Sequence, residues 1–132
     1  MYAVQIDDSR IVRVSSGRHE VTYAIDGSRM NPLEAFYAAL AGCAAVFAKK
    51  ACSELGVSAT GIRIGCRPFA GPGGPLTLSR FKTEVTFPDH FPAEKKAPVL
   101  EAIGYCAVKR IVEAGAGVAF SVAEVSLTTC PA

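Results

Sequence analysis

Five cysteines and two histidines are the side chains of this 132-residue sequence with the widest chemical reach. Cys43, Cys52, Cys66, Cys106 and Cys130 are separated by 9, 14, 40 and 24 residues, and neither His19 nor His90 stands at ligand spacing from them or from the other. That pattern lacks the clustered ligands of a zinc site. There is also no Gly-x-Ser-x-Gly elbow, no phosphate loop and no Gly-x-Gly-x-x-Gly after a strand, so hydrolase, kinase and dinucleotide chemistry have no starting point. Thiol chemistry remains. Cys43 follows Gly42, and Cys106 follows Tyr105 in a distant segment. Buried cysteines are most often small apolar fillers. The glycine beside Cys43 argues for more, because a mid-helix glycine costs about 1 kcal/mol relative to alanine and is commonly offset by the close approach of another backbone. An approaching second helix would bring Cys106 toward Cys43.

The elements that must position these thiols can be read from patterning. Ile11–Ser15 and Glu20–Ile25 are alternating, β-branched runs joined by Ser16-Gly17-Arg18, a hairpin signature. Asn31-Pro32-Leu33-Glu34 offers an N-cap, a proline at the first helical position and a capping-box glutamate, and Gly56 supplies a left-handed stop after Leu55. The helix between them is apolar on every side from Ala35 to Ala48 and is expected to be fully buried. Gly61–Arg67 and Leu76–Phe87 read as strands around a Gly71–Pro75 loop. Val99, Ile103, Cys106, Ala107 and Ile111 keep helical spacing from Pro98 to Gly115, and Val118–Leu127 reads as a closing strand. The expectation is a single α+β domain over residues 1–132, ordered β-β-α-β-β-α-β around one long helix.

Composition narrows the function further. The chain is 50% hydrophobic and 20% charged, which excludes a disordered chain and is rich for a small soluble monomer. A partner subunit is expected to cover part of that surface. Net charge is +2 and no basic run exceeds two residues, so the field that gathers phosphate backbones is missing and no nucleic-acid partner is expected. The start of the sequence has neither a basic segment nor an apolar one of signal-peptide type, and the uncharged run of 14 residues from Ala35 is short for a bilayer. A cytoplasmic protein with no membrane partner and reduced thiols is the expectation.

Asn31-Pro32-Leu33-Glu34, Ala38-Ala-Leu-Ala-Gly-Cys43, Tyr105-Cys106-Ala-Val108 and the element order together resemble the OsmC/Ohr family, the osmotically inducible and organic hydroperoxide resistance proteins, over nearly the whole chain. The resemblance is to the broad OsmC-like branch more than to the hydroperoxide-resistance branch. It implies an OsmC-like fold, an intertwined homodimer with sites at the subunit interface, and thiol-dependent reduction of organic hydroperoxides. It further implies Cys43 as the attacking thiol, Cys106 as the resolving thiol, no bound cofactor, and an external dithiol as reductant. Arg18 best matches the family arginine that stabilises the thiolate, since Cys43 sits mid-helix and is expected to gain nothing from a helix N-terminus. His19 is a weaker match as a proton shuttle.

Two departures from the family pattern stand out. The family glutamate lies ten residues before the attacking cysteine, where this chain has Leu33; Glu34 is one residue later, about 180° around the helix from Cys43, and has the cap to serve. The face of Cys43 carries Phe36, Ala39, Leu40, Phe47 and Lys50, with Phe36 and Phe47 as an apolar wall suited to bulky hydroperoxides or, equally, to core packing. After Cys106, Ala107-Val108-Lys109-Arg110 replaces a serine-bearing segment. Cys52, Cys66 and Cys130 match nothing in the family motif, and read as helix packing, a strand residue and a tail thiol. A non-enzymatic OsmC-like protein that binds small molecules or senses redox state is the alternative on the same fold.

Overall fold

The alternating runs near the start of the chain form a hairpin of β1 (Ile11–Ser16) and β2 (His19–Ala24), with Ile11 opposite Ala24 and Ser16 opposite His19. Gly17, at φ 59°, makes the turn that a side chain would strain, and Arg18 stands exposed beside it. Residues 1–123 are described by this computed structural model, except for the side chains of residues 75–79.

Helix α1 (Pro32–Leu55) starts and stops where its sequence signals lie. The Glu34 amide donates to Asn31 Oδ1 at 2.9 Å, and the Asn31 amide donates to Glu34 Oε1 at 3.2 Å, which closes the capping box. Gly56 ends the helix at φ 71°. A second hairpin follows, β3 (Arg63–Gly71) and β4 (Gly74–Thr86), antiparallel with Ile64 opposite Val85 and Cys66 opposite Thr83. It is longer than the sequence pattern indicates. Both strands run into the expected Gly71–Pro75 loop, leaving a tight turn, and register shifts at Phe69–Gly71 absorb the irregularity.

The second half of the chain departs from expectation in two places. A single helix from Pro98 to Gly115 is replaced by α2 (Ala93–Gly104) and α3 (Ala107–Ala114). Pro98 is accommodated inside α2, and the break falls at Tyr105 and Cys106, whose φ −51° and ψ 127° are extended. Residues 118–123 form no strand, and the rest of the Val118–Leu127 run lies outside the described residues. Val118, Phe120 and Val122 are 89%, 99% and 88% exposed, so the alternation that suggested a strand is present without a neighbour to pair with among the described residues. The described order is β-β-α-β-β-α-α in an α+β fold with two separate two-stranded antiparallel sheets.

The core lies along one face of α1. Ala44, Ala48, Ala51 and Cys52 meet Phe91, Val99 and Ile103, with Ile62, Ile64, Val85 and Phe87 of the second hairpin region closing the other side. The expectation of a helix buried all round is corrected here, because two strands and two short helices cover only one face. Phe36, Gly42 and Val46 are exposed, and the position a Cβ would take on Gly42 has nothing within 4 Å. By length and composition α1 is apolar enough to cross a bilayer, yet its covered face is the core of this chain. The β1–β2 hairpin packs little on the other elements.

Candidate redox site

The two thiols singled out in the sequence meet. Cys43, at the centre of α1, has its sulfur beside the side chain of Cys106 and the backbone amides of Ala107 and Val108, all of which act on its titration. Those amides are the first two of α3, whose N-cap is Cys106. The first N–H groups of a helix have no partner within it and carry the positive end of its dipole. Cys43 therefore does have a helix N-terminus to support a negative charge, contrary to the sequence-based expectation. The helix is simply not its own. No side-chain signal marks it: α2 runs through Gly104, and Cys106 caps α3 without a side-chain hydrogen bond.

The two sulfurs are driven in opposite directions. Burial pushes the Cys43 thiol up, but the Cys106 hydrogen bond, the Val108 and Ala107 amides and the charge of Lys50 together hold it below the ordinary thiol value. Burial pushes the Cys106 thiol up, and its hydrogen bond with Cys43 pushes it further. Cys106 is 2% exposed, whereas Cys43 is half-buried. The arrangement favours the thiolate on Cys43 over that on Cys106, with the second thiol beside it to receive an oxidised product.

The remaining sequence candidates are more scattered. Lys50, on the Cys43 face, is the cation acting on that sulfur, and its Nζ also lies 5.6 Å from the Phe47 ring centroid. Arg18 stands on the exposed β1–β2 turn and is not among the groups acting on Cys43 within the chain; His19 is exposed at the start of β2. Glu34 is engaged in the α1 cap. Phe36 stacks edge-on against Phe81 at 5.7 Å and against Tyr37 at 6.3 Å, while Tyr37 and Phe81 are 5.9 Å apart. Phe81 in turn lines a cavity of about 720 Å³ that reaches Cys106. Phe36 thus supports that cavity's wall, whereas Phe47 lies under Lys50. Of the other cysteines, Cys52 is fully buried with its thiol pushed up by burial, and Cys66 is half-buried on β3. Cys130 lies outside the described residues.

Comparison with known proteins follows the same lines. Residues 25–121 match the family profile described as OsmC-like protein, a span that contains both thiols and every helix. No curated relative matches the chain. Among solved structures, an OsmC-like protein from Mycoplasma pneumoniae superposes with TM-score 0.69 at 10% identity, covering 87% of each chain. A candidate osmotic stress induced and detoxification response protein from Psychrobacter arcticus 273-4 superposes with TM-score 0.66 at 12% identity, covering 83% of this chain and 85% of the other.

Proposed function

Since this chain belongs to the OsmC-like family, whose thiols carry its chemistry, we propose that it is a cytoplasmic peroxidase that reduces organic hydroperoxides through Cys43 and Cys106. The observation that carries the reading is that these two thiols, 63 residues apart in sequence, act on each other at the start of α3. The Cys43 thiolate attacks the outer peroxide oxygen, the O–O bond breaks, and the alkoxide leaves as the alcohol after taking a proton, which makes Cys43 a sulfenic acid. The Cys106 sulfur then displaces that hydroxyl. Water departs with the Cys106 proton and a Cys43–Cys106 disulfide forms. An external dithiol returns both sulfurs to the reduced state, and no bound cofactor is required.

A homodimer completes the reading. The chain exposes 10,278 Å², whereas a folded monomer of 13.8 kDa exposes about 6,600 Å² by surface scaling. The surplus, the bare face of α1 and the weakly packed β1–β2 hairpin all suit a second copy that covers them. In such a dimer Arg18 of one protomer is available to the Cys43 thiolate of the other, which would add its charge to that of Lys50 and the α3 amides.

Incubating the purified protein with cumene hydroperoxide and a dithiol tests the reading. Repeated consumption of peroxide, with loss of two hydrogens per chain through a Cys43–Cys106 bond, is expected. A single oxidation with no turnover would point instead to redox sensing, and unselective oxidation of all thiols would sink both.

A further inference from the structure

Phe47 and Lys50 follow Cys43 on α1 at four and seven residues, which places them about 40° and about 20° around the helix from it, one and two turns farther on. Helical side chains lean toward the N-terminal end of their own helix, which carries the stem of Lys50 back across Phe47 in the direction of Cys43. Its Nζ stands 5.6 Å from the Phe47 ring centroid, within the range at which an aromatic face attracts an ammonium. Lys82 and Lys109 are each paired with a glutamate, whereas no carboxylate pairs with Lys50 among the described residues. Lys49 cannot serve in its place, because it lies about 120° around the helix from Cys43 and borders a separate cavity of about 650 Å³.

We propose that Phe47 is a positioning residue, whose ring holds the Lys50 ammonium over the face of α1 that carries Cys43 and so keeps an unpaired positive charge turned toward the attacking sulfur. The assignment gives Phe47 a task other than walling a substrate, and it rests on the reading of Cys43 as the attacking thiol. The groups that act on Cys43 from the elements packed against it are the Cys106 thiol and the Ala107 and Val108 amides of α3, and Lys50 is the charged side chain among them. Lys50 is exposed. In water its four-carbon stem would sample many rotamers, most of which carry the charge away from the sulfur. An aromatic face that favours one of those rotamers keeps the charge where the thiolate gains from it. The ring thus acts on Cys43 through Lys50 and not by its own contact.

Alkylation of Cys43 by iodoacetamide, followed against pH by the mass of its peptide, needs no peroxide, so failure of this assignment and failure of peroxide turnover are told apart. Lys50→Met is expected to raise the pH midpoint and to slow alkylation near neutrality several-fold, whereas Lys50→Arg and Lys49→Met should keep the wild-type profile. Phe47→Leu, which retains the lysine, should raise the midpoint as well, and combining it with Lys50→Met should raise it no further than Lys50→Met alone. An unmoved midpoint in Lys50→Met, or an equal shift in Lys49→Met, would overturn the part given to Lys50. A wild-type midpoint in Phe47→Leu, or shifts that add in the double variant, would overturn the part given to the ring. A second measurement does not depend on the folding of any variant: the ε-methylene protons of Lys50 in the wild-type protein should resonate upfield of those of Lys49 through the ring current of Phe47, and equal shifts would overturn the clamp.

Discussion

One sulfur at this site is useful only because of the other. Cys43→Ser is expected to abolish peroxide consumption, whereas Cys106→Ser should still oxidise once and stop, leaving a Cys43 sulfenic acid that dimedone labels and mass spectrometry detects. The opposed titrations set a pH window. As pH falls through the lowered midpoint of Cys43 the thiolate takes a proton and attack is lost; as pH rises through the raised midpoint of Cys106 its S–H donor disappears and two anions face one another. The rate of the first oxidation, followed by stopped flow, should therefore rise and then decline with pH, and Cys106→Ala should move the lower limb upward by removing a donor. At this scale the sequence was informative about identity and less so about environment. The two cysteines and Lys50 were legible from family motif and helical face. The amide donors were not, because a backbone N–H has no letter of its own and its direction depends on where a helix begins.

Helix ends explain both the best and the worst of the sequence reading. Side-chain caps are local, so Asn31, Glu34 and Gly56 placed both ends of α1 correctly. Asn31→Ala should lower stability by about 1 kcal/mol, measured as a shift in the denaturant midpoint with unchanged slope. The break between α2 and α3 has no such side-chain cap, and Cys106 serves as N-cap without a side-chain hydrogen bond to its own helix. Its side chain points at Cys43 instead. Apolar spacing ran through the break because Val99 and Ile103 on one helix and Cys106 at the start of the next all face α1. The contribution of α3 can be isolated by Ala107→Pro. Proline suits a first helical position, and the extended backbone of Cys106 suits the residue before it, so the helix should persist while one amide donor is lost. Alkylation of Cys43 by iodoacetamide should then need a higher pH, and oxidation near neutrality should slow several-fold with the circular dichroism spectrum intact.

For the molecule as a whole, hydrophobicity exceeded what one chain can bury, and that excess was visible in composition before any contact was known. What composition could not say was where the surplus would lie. It falls on the outer face of α1, on the β1–β2 hairpin and along residues 118–123. A glycine at position 42 had suggested close approach of another backbone, and among the described residues nothing lies within 4 Å of the position its Cβ would take. If a second copy fills it, light scattering should give twice the 13.8 kDa chain mass, and Gly42→Leu should halve that mass while the chain still folds, since a side chain there meets none of the described residues of its own protomer.

Because two of the donors that lower the Cys43 titration belong to the main chain at Ala107 and Val108, the usual catalogue of side-chain replacements would pass over them. Nineteen of the twenty genetically encoded residues supply the same N–H at each position. These positions are thus free to drift in size and polarity without dismantling the anion's support, and a designer could recolour the rim of the site there while leaving its reactivity in place.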